Sequence, residues 1–193
     1  LAANHGHSRA KLSLGIIYYY GENFPQDIKK GRYYIMLASN EGDRQANFAH
    51  GFLLHEGRCV EKNIEEAIHY YKEASSFNNY YAKNNLGIIY KHGYGNVQRN
   101  LDLSIEYFKE AIRQKNDYIS MYILSHIYIY DETVKCDINK AIELLIISSK
   151  KLSQSRVLLS LVLFKEPSFN LTKVKQTIET REDISKELAE IIY

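Results

Sequence analysis

The sequence predicts an all-α solenoid, a stack of antiparallel helix pairs, and three observations carry that expectation. Small residues recur at a fixed interval: Ala10, Gly15, Gly21, Ile28 and Ala38 are answered 36 residues later by Ala46, Gly51, Gly57, Ile64 and Ala74, a period typical of stacked supersecondary units. Within each copy the apolar residues fall at helical spacing, as in Ala82, Leu86, Ile89 and Tyr90 and again in Leu101, Ile105, Phe108, Ala111 and Ile112. Strand signals are absent despite many β-branched residues.

Taken in order, the elements repeat with small departures. Leu1-Ala2-Ala3-Asn4-His5-Gly6 parallels Leu37-Ala38-Ser39-Asn40-Glu41-Gly42, so the chain is expected to open in the last turn of a preceding helix, as an excerpt from a longer array. First helices should end at Gly21, Gly57 and Gly93, which suit a left-handed cap. Second helices should begin near Asp27, Asn63, Asn100 and Asp137, whose side chains can accept from free amides of the first turn. Ala82, Gly87 and Gly93 keep the interval of 36, after which Leu101, Ser104 and Ala111 stand 37 beyond Ile64, Ala67 and Ala74. The added residue lies between Gly93 and Val97, where a loop absorbs it at little entropic cost.

A fourth copy carries Ser120, Leu124, Ser125 and Tyr128 in the places of Ala82, Leu86, Gly87 and Tyr90, with Asp131-Glu132-Thr133-Val134 replacing the glycine loop. A fifth has only its first half, Ser155 to Phe164. The expected domain division is therefore an array over 1–165, with the end of a preceding repeat, about four full repeats and one half repeat. A C-terminal helical cap is expected over 166–193, where Asn170 and the pair Thr180 and Asp183 could start two short helices carrying Val174, Ile178, Ile184, Leu188 and Ile191.

Gly15, Gly51 and Gly87 sit inside helices, where glycine costs about 1 kcal/mol against alanine. Their recurrence calls for a compensating gain, and close approach of a partner helix supplies it. Ser125 and Ser160 keep the same slot small.

Composition narrows the function. With 45% hydrophobic residues the chain can bury a sizeable core. Twenty-five Lys and Arg against 23 Asp and Glu give a formal charge of +2 without long runs of one sign, which argues against nucleic-acid binding. No apolar run approaches the roughly 18 to 20 residues that span a bilayer, so membrane insertion is not expected. Two cysteines, Cys59 and Cys136, read as free thiols and favour a cytoplasmic setting.

Ala82, Leu86-Gly87, Tyr90, Gly93-Tyr94-Gly95-Asn96-Val97, then Ser104 and Tyr107-Phe108-Lys109-Glu110-Ala111 form a motif that resembles the Sel1-like repeat, a relative of the tetratricopeptide repeat. The 36 to 37 residue period fits that family better than the tetratricopeptide repeat, and the likeness covers about residues 1–165. It departs from the family in lacking tryptophan; Tyr33-Tyr34, Tyr70-Tyr71 and Tyr107-Phe108 stand in the second helices instead. The resemblance implies a right-handed α/α superhelix whose first helices line a concave face, used as a scaffold or adaptor for proteins or peptides. The residues turned inward would be Tyr19, Tyr20, Phe48, Phe52, His55, Tyr81, Asn84, Lys91, His92, Tyr122, His126 and Tyr130. This is an aromatic, weakly basic strip, in which aromatic side chains supply binding area and Asn84 with Lys91, seven apart, could hold a peptide carboxylate. The competing account of the tyrosines is that they fill gaps between repeats.

Catalysis is not expected. There is no nucleophile elbow or paired catalytic carboxylate set, and Gly93-Tyr94-Gly95 lacks the preceding strand of a phosphate loop. No metal or other cofactor is expected either: His5-x-His7 and the trio His55, His92 and His126 lack the thiol or carboxylate companions of a metal site, and surface histidine accounts for them. Asn170-Leu171-Thr172 matches a glycosylation pattern that would matter only in a secreted parent. The alternative function is a regulatory or substrate-docking segment of a larger enzyme such as a kinase.

Overall fold

The computed structural model describes residues 2–21, 25–58 and 60–165, and these form helices α1 to α9 and one isolated bridge, with no longer strand. The helices gather into two compact units, the chain dividing between Gln114 and Lys115. The cap expected over 166–193 lies outside the described residues.

The first unit contains α1 (Ala2–Tyr20), α2 (Ile28–Asn40), α3 (Arg44–Glu56), α4 (Ile64–Ser76), α5 (Tyr80–His92) and α6 (Leu101–Lys115). All four expected caps of second helices form in the chain: Asp27, Asn63, Asn100 and, later, Asp137 accept from the amides of Lys30, Glu66, Leu103 and Lys140 at 3.0 to 3.1 Å. Each of these cap residues also donates its own amide to a carbonyl near the end of the preceding helix, on Tyr18, Leu54, Tyr90 and Tyr128. The turn joining the two helices of a repeat is thus one device used four times. Gly21, Gly57 and Gly93 take φ of 75°, 72° and 69°. At Gly57 the cap is left-handed, whereas Gly93 has ψ 143° and leads the chain outward. There Tyr94 and Val97 exchange backbone hydrogen bonds of 3.0 and 2.9 Å, closing the turn that holds the added residue.

The mid-helix glycines are packing slots. A Cβ on Gly87 would stand 2.7 Å from the Phe108 ring, and one on Gly51 would stand 3.0 Å from the Tyr71 ring. Gly15 meets Ile35 in the same way at 2.7 Å. Each second helix sends a large side chain into the slot of its partner; Ile35, Tyr71 and Phe108 are buried accordingly. One turn earlier a small residue lets the backbones close up, namely Gly31, Ala67 and Ser104. The Ser104 hydroxyl donates to the Gly87 carbonyl at 2.7 Å, a bond that the missing Cβ makes reachable.

Polar bridges link one repeat to the next at matching positions. Asn47 Nδ2 donates to Glu73 at 3.0 Å, and its Oδ1 accepts from Ser39 at 2.7 Å. Thirty-six residues on, Lys83 pairs with Glu110 at 2.5 Å, with the lysine side chain only 10% exposed. Lys11, at the equivalent place in α1, pairs with Glu41.

The second unit contains α7 (Tyr118–Tyr130), α8 (Ile138–Ser149) and α9 (Ser153–Lys165). Ser125 fills the glycine slot and is fully buried, while Ile142, Leu145, Ile146, Leu158, Leu159 and Val162 form the core. Ser160 behaves otherwise. It is exposed, its hydroxyl donating to the Arg156 carbonyl, and among the described residues no partner helix covers the slot it was expected to keep small.

The amino terminus also departs from expectation. Residues 2–6 do not end a preceding helix but run without a break into α1. In the matching segment, Gly42 turns the chain at φ 81° and Asp43 caps α3 by accepting from Gln45 and Ala46 at 2.9 Å. Asn79 and Asp117 cap α5 and α7 likewise. His7 stands in that place in α1, without a short side-chain acceptor to stop one helix and start the next.

Candidate binding cleft

The first helices of the first unit, α1, α3 and α5, together line a cleft of about 590 Å³. Phe48 and Phe52, four apart on α3, stand half-buried along it. The Phe48 ring centroid lies 5.8 Å from that of Tyr81 on α5 and 5.9 Å from that of Tyr71. Tyr20 and Tyr81 keep 62% and 52% of their surface exposed, so the aromatic area is open to a partner.

Five of the residues nominated from sequence meet here: Tyr19, Tyr20, Phe48, Phe52 and Tyr81. Tyr19 does so as core rather than as an open contact surface. It lies four residues after Gly15 on the face that packs against Gly31, is 5% exposed, and its buried hydroxyl has no hydrogen-bond partner.

The other nominees of this unit lie elsewhere. His55 packs edge-on against Tyr71 and Tyr94, with Nδ1 3.4 Å from the Tyr71 hydroxyl, and burial lowers its pKa below the ordinary value, with Lys62 adding to the effect. Asn84 is buried, since its place three residues before Gly87 turns it toward the core, while Lys91 is half-buried. The two do not form an open clasp. His92 is exposed at the end of α5, and partial burial and then Lys91 and Arg99 hold its pKa down. His55 and His92 are thus both held toward the neutral form.

Tyr122, His126 and Tyr130 of the second unit line a separate cleft of about 480 Å³ with Val157 and Leu161 of α9. The His126 and Tyr130 rings lie 4.7 Å apart.

Ile16, Arg44 and Phe77 also line the cleft, though they are not among the residues expected from sequence. Ile16 lies four residues before Tyr20 and so shares its face, a signal present in the sequence. Arg44 begins α3 directly after the Asp43 cap, and Phe77 caps the end of α4. Their meeting depends on how α3 approaches the end of α4, which local pattern does not reveal. Among the described residues no group of three His, Cys, Asp or Glu gathers as a metal site would require, and no helix is long and apolar enough to cross a membrane.

Paired helices joined by one turn device and packed through a glycine slot define an α-helical repeat protein. A family model described as the Sel1 repeat matches residues 8–43, 44–76, 81–116 and 119–151, and the chain belongs to that family, whose members generally serve as protein-interaction scaffolds. Among solved structures it is similar to c5321, described as a protective antigen present in uropathogenic Escherichia coli strains and displaying an SLR fold. The TM-score is 0.77 at 22% identity, over 84% of this chain and 35% of that one. It is also similar to a Sel1 repeat protein from Oxalobacter formigenes, with a TM-score of 0.68 at 22% identity over 79% of this chain and 62% of that one. The chain thus spans about a third and just under two thirds of these two proteins, and the likeness concerns the all-α repeat fold. No curated protein matches it by sequence.

Proposed function

We propose that this chain is a non-catalytic scaffold that holds a peptide or protein segment in the cleft lined by α1, α3 and α5. The observation that carries the reading is the exposure of Tyr20, Tyr81 and Ile16 around the half-buried Phe48 and Phe52. Soluble domains seldom leave a contiguous aromatic surface open without a partner for it, and aromatic rings are strong anchors at interfaces. The cleft of α7 and α9 would extend the same use to the second unit. A reducing, cytoplasmic setting agrees with the free, exposed Cys136.

The test is selection of a phage-displayed random library of eight-residue peptides on the chain, followed by binding of the selected peptides to cleft variants. Peptides that lose about tenfold or more in affinity on Tyr20→Ala or Ile16→Glu, but not on Lys109→Ala, support the cleft. Failure to select any peptide with that pattern overturns it.

A further inference from the structure

Resting on that reading, we propose that the cleft selects its partner by charge: its occupant is an extended peptide segment that sets an Asp or Glu side chain beside an aromatic or long aliphatic one, with Arg44 receiving the carboxylate. Among the described residues lining the cleft, Arg44 is the only one that carries a full charge near neutral pH; the rest are apolar, tyrosine or amide side chains. A single cation at the rim of an apolar wall favours an anion; Arg44 is exposed there and also borders Arg9 and Asp43 on its outer side.

The setting of Arg44 supports this use. Its guanidinium carbon lies 3.8 Å from the centre of the Phe77 ring, a cation–π contact that anchors the group at the cleft. A guanidinium held beside a ring still has several N–H donors, and two of them can grip a carboxylate at once. Among the described residues no carboxylate already holds it. Asp43, the nearest in sequence, spends its carboxylate on the amides of Gln45 and Ala46; Glu41 pairs with Lys11, and Glu73 takes up Asn47 and His69.

Helix stability does not account for the residue. A cation in the first turn opposes the helix dipole, and the first turn of α3 contains no acid, whereas α4 and α6 begin with acidic residues. The equivalent positions of α5 and α7 hold Tyr80 and Tyr118, so the cation belongs to this repeat alone.

Arg44 stands on the middle helix of the three, with cleft residues of α1 on one side and of α5 on the other. A chain crossing all three covers on the order of 20 Å, or about six extended residues. It therefore continues past Arg44 in both directions, and the carboxylate it presents there is an internal side chain rather than a chain end.

The experiment extends the library selection to Arg44→Gln and Arg44→Glu. Peptides selected on the native chain should be rich in Asp or Glu next to Phe, Tyr, Trp or Leu. The best of them, resynthesised with acetylated and amidated ends, should bind about tenfold tighter than its copy with the acid changed to its amide, read by fluorescence anisotropy. On Arg44→Gln that ratio should fall to near one, and Arg44→Glu should select Lys or Arg at the same place. Cleft-dependent peptides without an acidic preference, or with a ratio unchanged on Arg44→Gln, overturn this inference and leave the cleft reading standing. A carboxylate preference that survives only with a free carboxyl terminus overturns the internal placement. No cleft-dependent peptide at all overturns both.

Discussion

The Phe108 ring lies so close to Gly87 that a single added methyl group on the glycine would stand 2.7 to 2.9 Å from three atoms of the ring. Phe108 is fully buried and has little room to swing aside. Burying a Phe side chain stabilises by about 1.5 to 3 kcal/mol, well above the ~1 kcal/mol that a mid-helix glycine costs. Gly87→Ala is expected to lose about 1 to 3 kcal/mol and Gly87→Leu to lose more, by urea denaturation followed by circular dichroism. An undiminished midpoint for Gly87→Leu would sink the slot account.

The glycines at these helix contacts should not respond alike. A Cβ on Gly51 would meet the Tyr71 ring at 3.0 to 3.1 Å and the Ala67 carbonyl oxygen at 3.2 Å, while one on Gly31 would meet the Tyr19 backbone nitrogen at 2.7 Å and the Gly15 carbonyl oxygen at 2.8 Å. A ring can shift by a few tenths of an ångström, whereas two packed helix backbones must separate. Gly51→Ala is therefore expected to be nearly neutral, its strain offset by the roughly 1 kcal/mol gain in helix propensity, and Gly31→Ala to destabilise clearly. Equal losses in parallel thermal melts would contradict this ranking.

Lys83 and Glu110 form an ion pair in which the lysine side chain is 10% exposed and the glutamate side chain 33%. Removing the carboxylate leaves the lysine charge poorly solvated, so Glu110→Ala is expected to cost on the order of 1 to 2 kcal/mol, while Lys83→Met with Glu110→Leu recovers most of the loss. A double variant as unstable as the single one would show that the lysine stem, and not the charge, matters.

Stability should fall on mild acidification. Burial lowers the pKa of His50, with Glu66 opposing and Arg32 assisting, and burial also lowers that of His55. The unfolded chain then binds more protons than the folded one between the ordinary value of 6.5 and the lowered values. Their contribution is complete above 6.5 and is lost as the pH drops through and below it. Urea midpoints measured across this range should decline toward acid, and His50→Gln should flatten part of the slope. An unchanged slope in His50→Gln would exclude this histidine as a source.

Within the cleft, exposure separates binding from folding. Tyr20→Ala should change stability by less than about 0.5 kcal/mol, since most of its surface is open. Phe48→Ala should cost about 2 kcal/mol or more, because its ring also packs near Tyr71 and Tyr81. A melt in which Tyr20→Ala loses as much as Phe48→Ala would place Tyr20 in the core.

The period, the two helices per copy, the caps at Asp27, Asn63, Asn100 and Asp137 and the glycine slots were determined by the sequence itself, because each rests on residues a few positions apart in one chain. Capping is a local hydrogen bond and helical facing is a matter of spacing, so both are written in order along the chain. The partner of each slot was less visible: the row Gly31, Ala67 and Ser104 acquires meaning only beside the glycines it faces. Tertiary structure decided which aromatic residues are open and which are filled in. Tyr19 and Tyr20 are neighbours of one type, yet the packing of α2 against α1 buries the first and leaves the second at the mouth of the cleft. It also decided that Arg44 meets Phe77 across 33 residues of chain. The approach of two helix ends sets that distance, and a pattern read along either helix alone does not contain it.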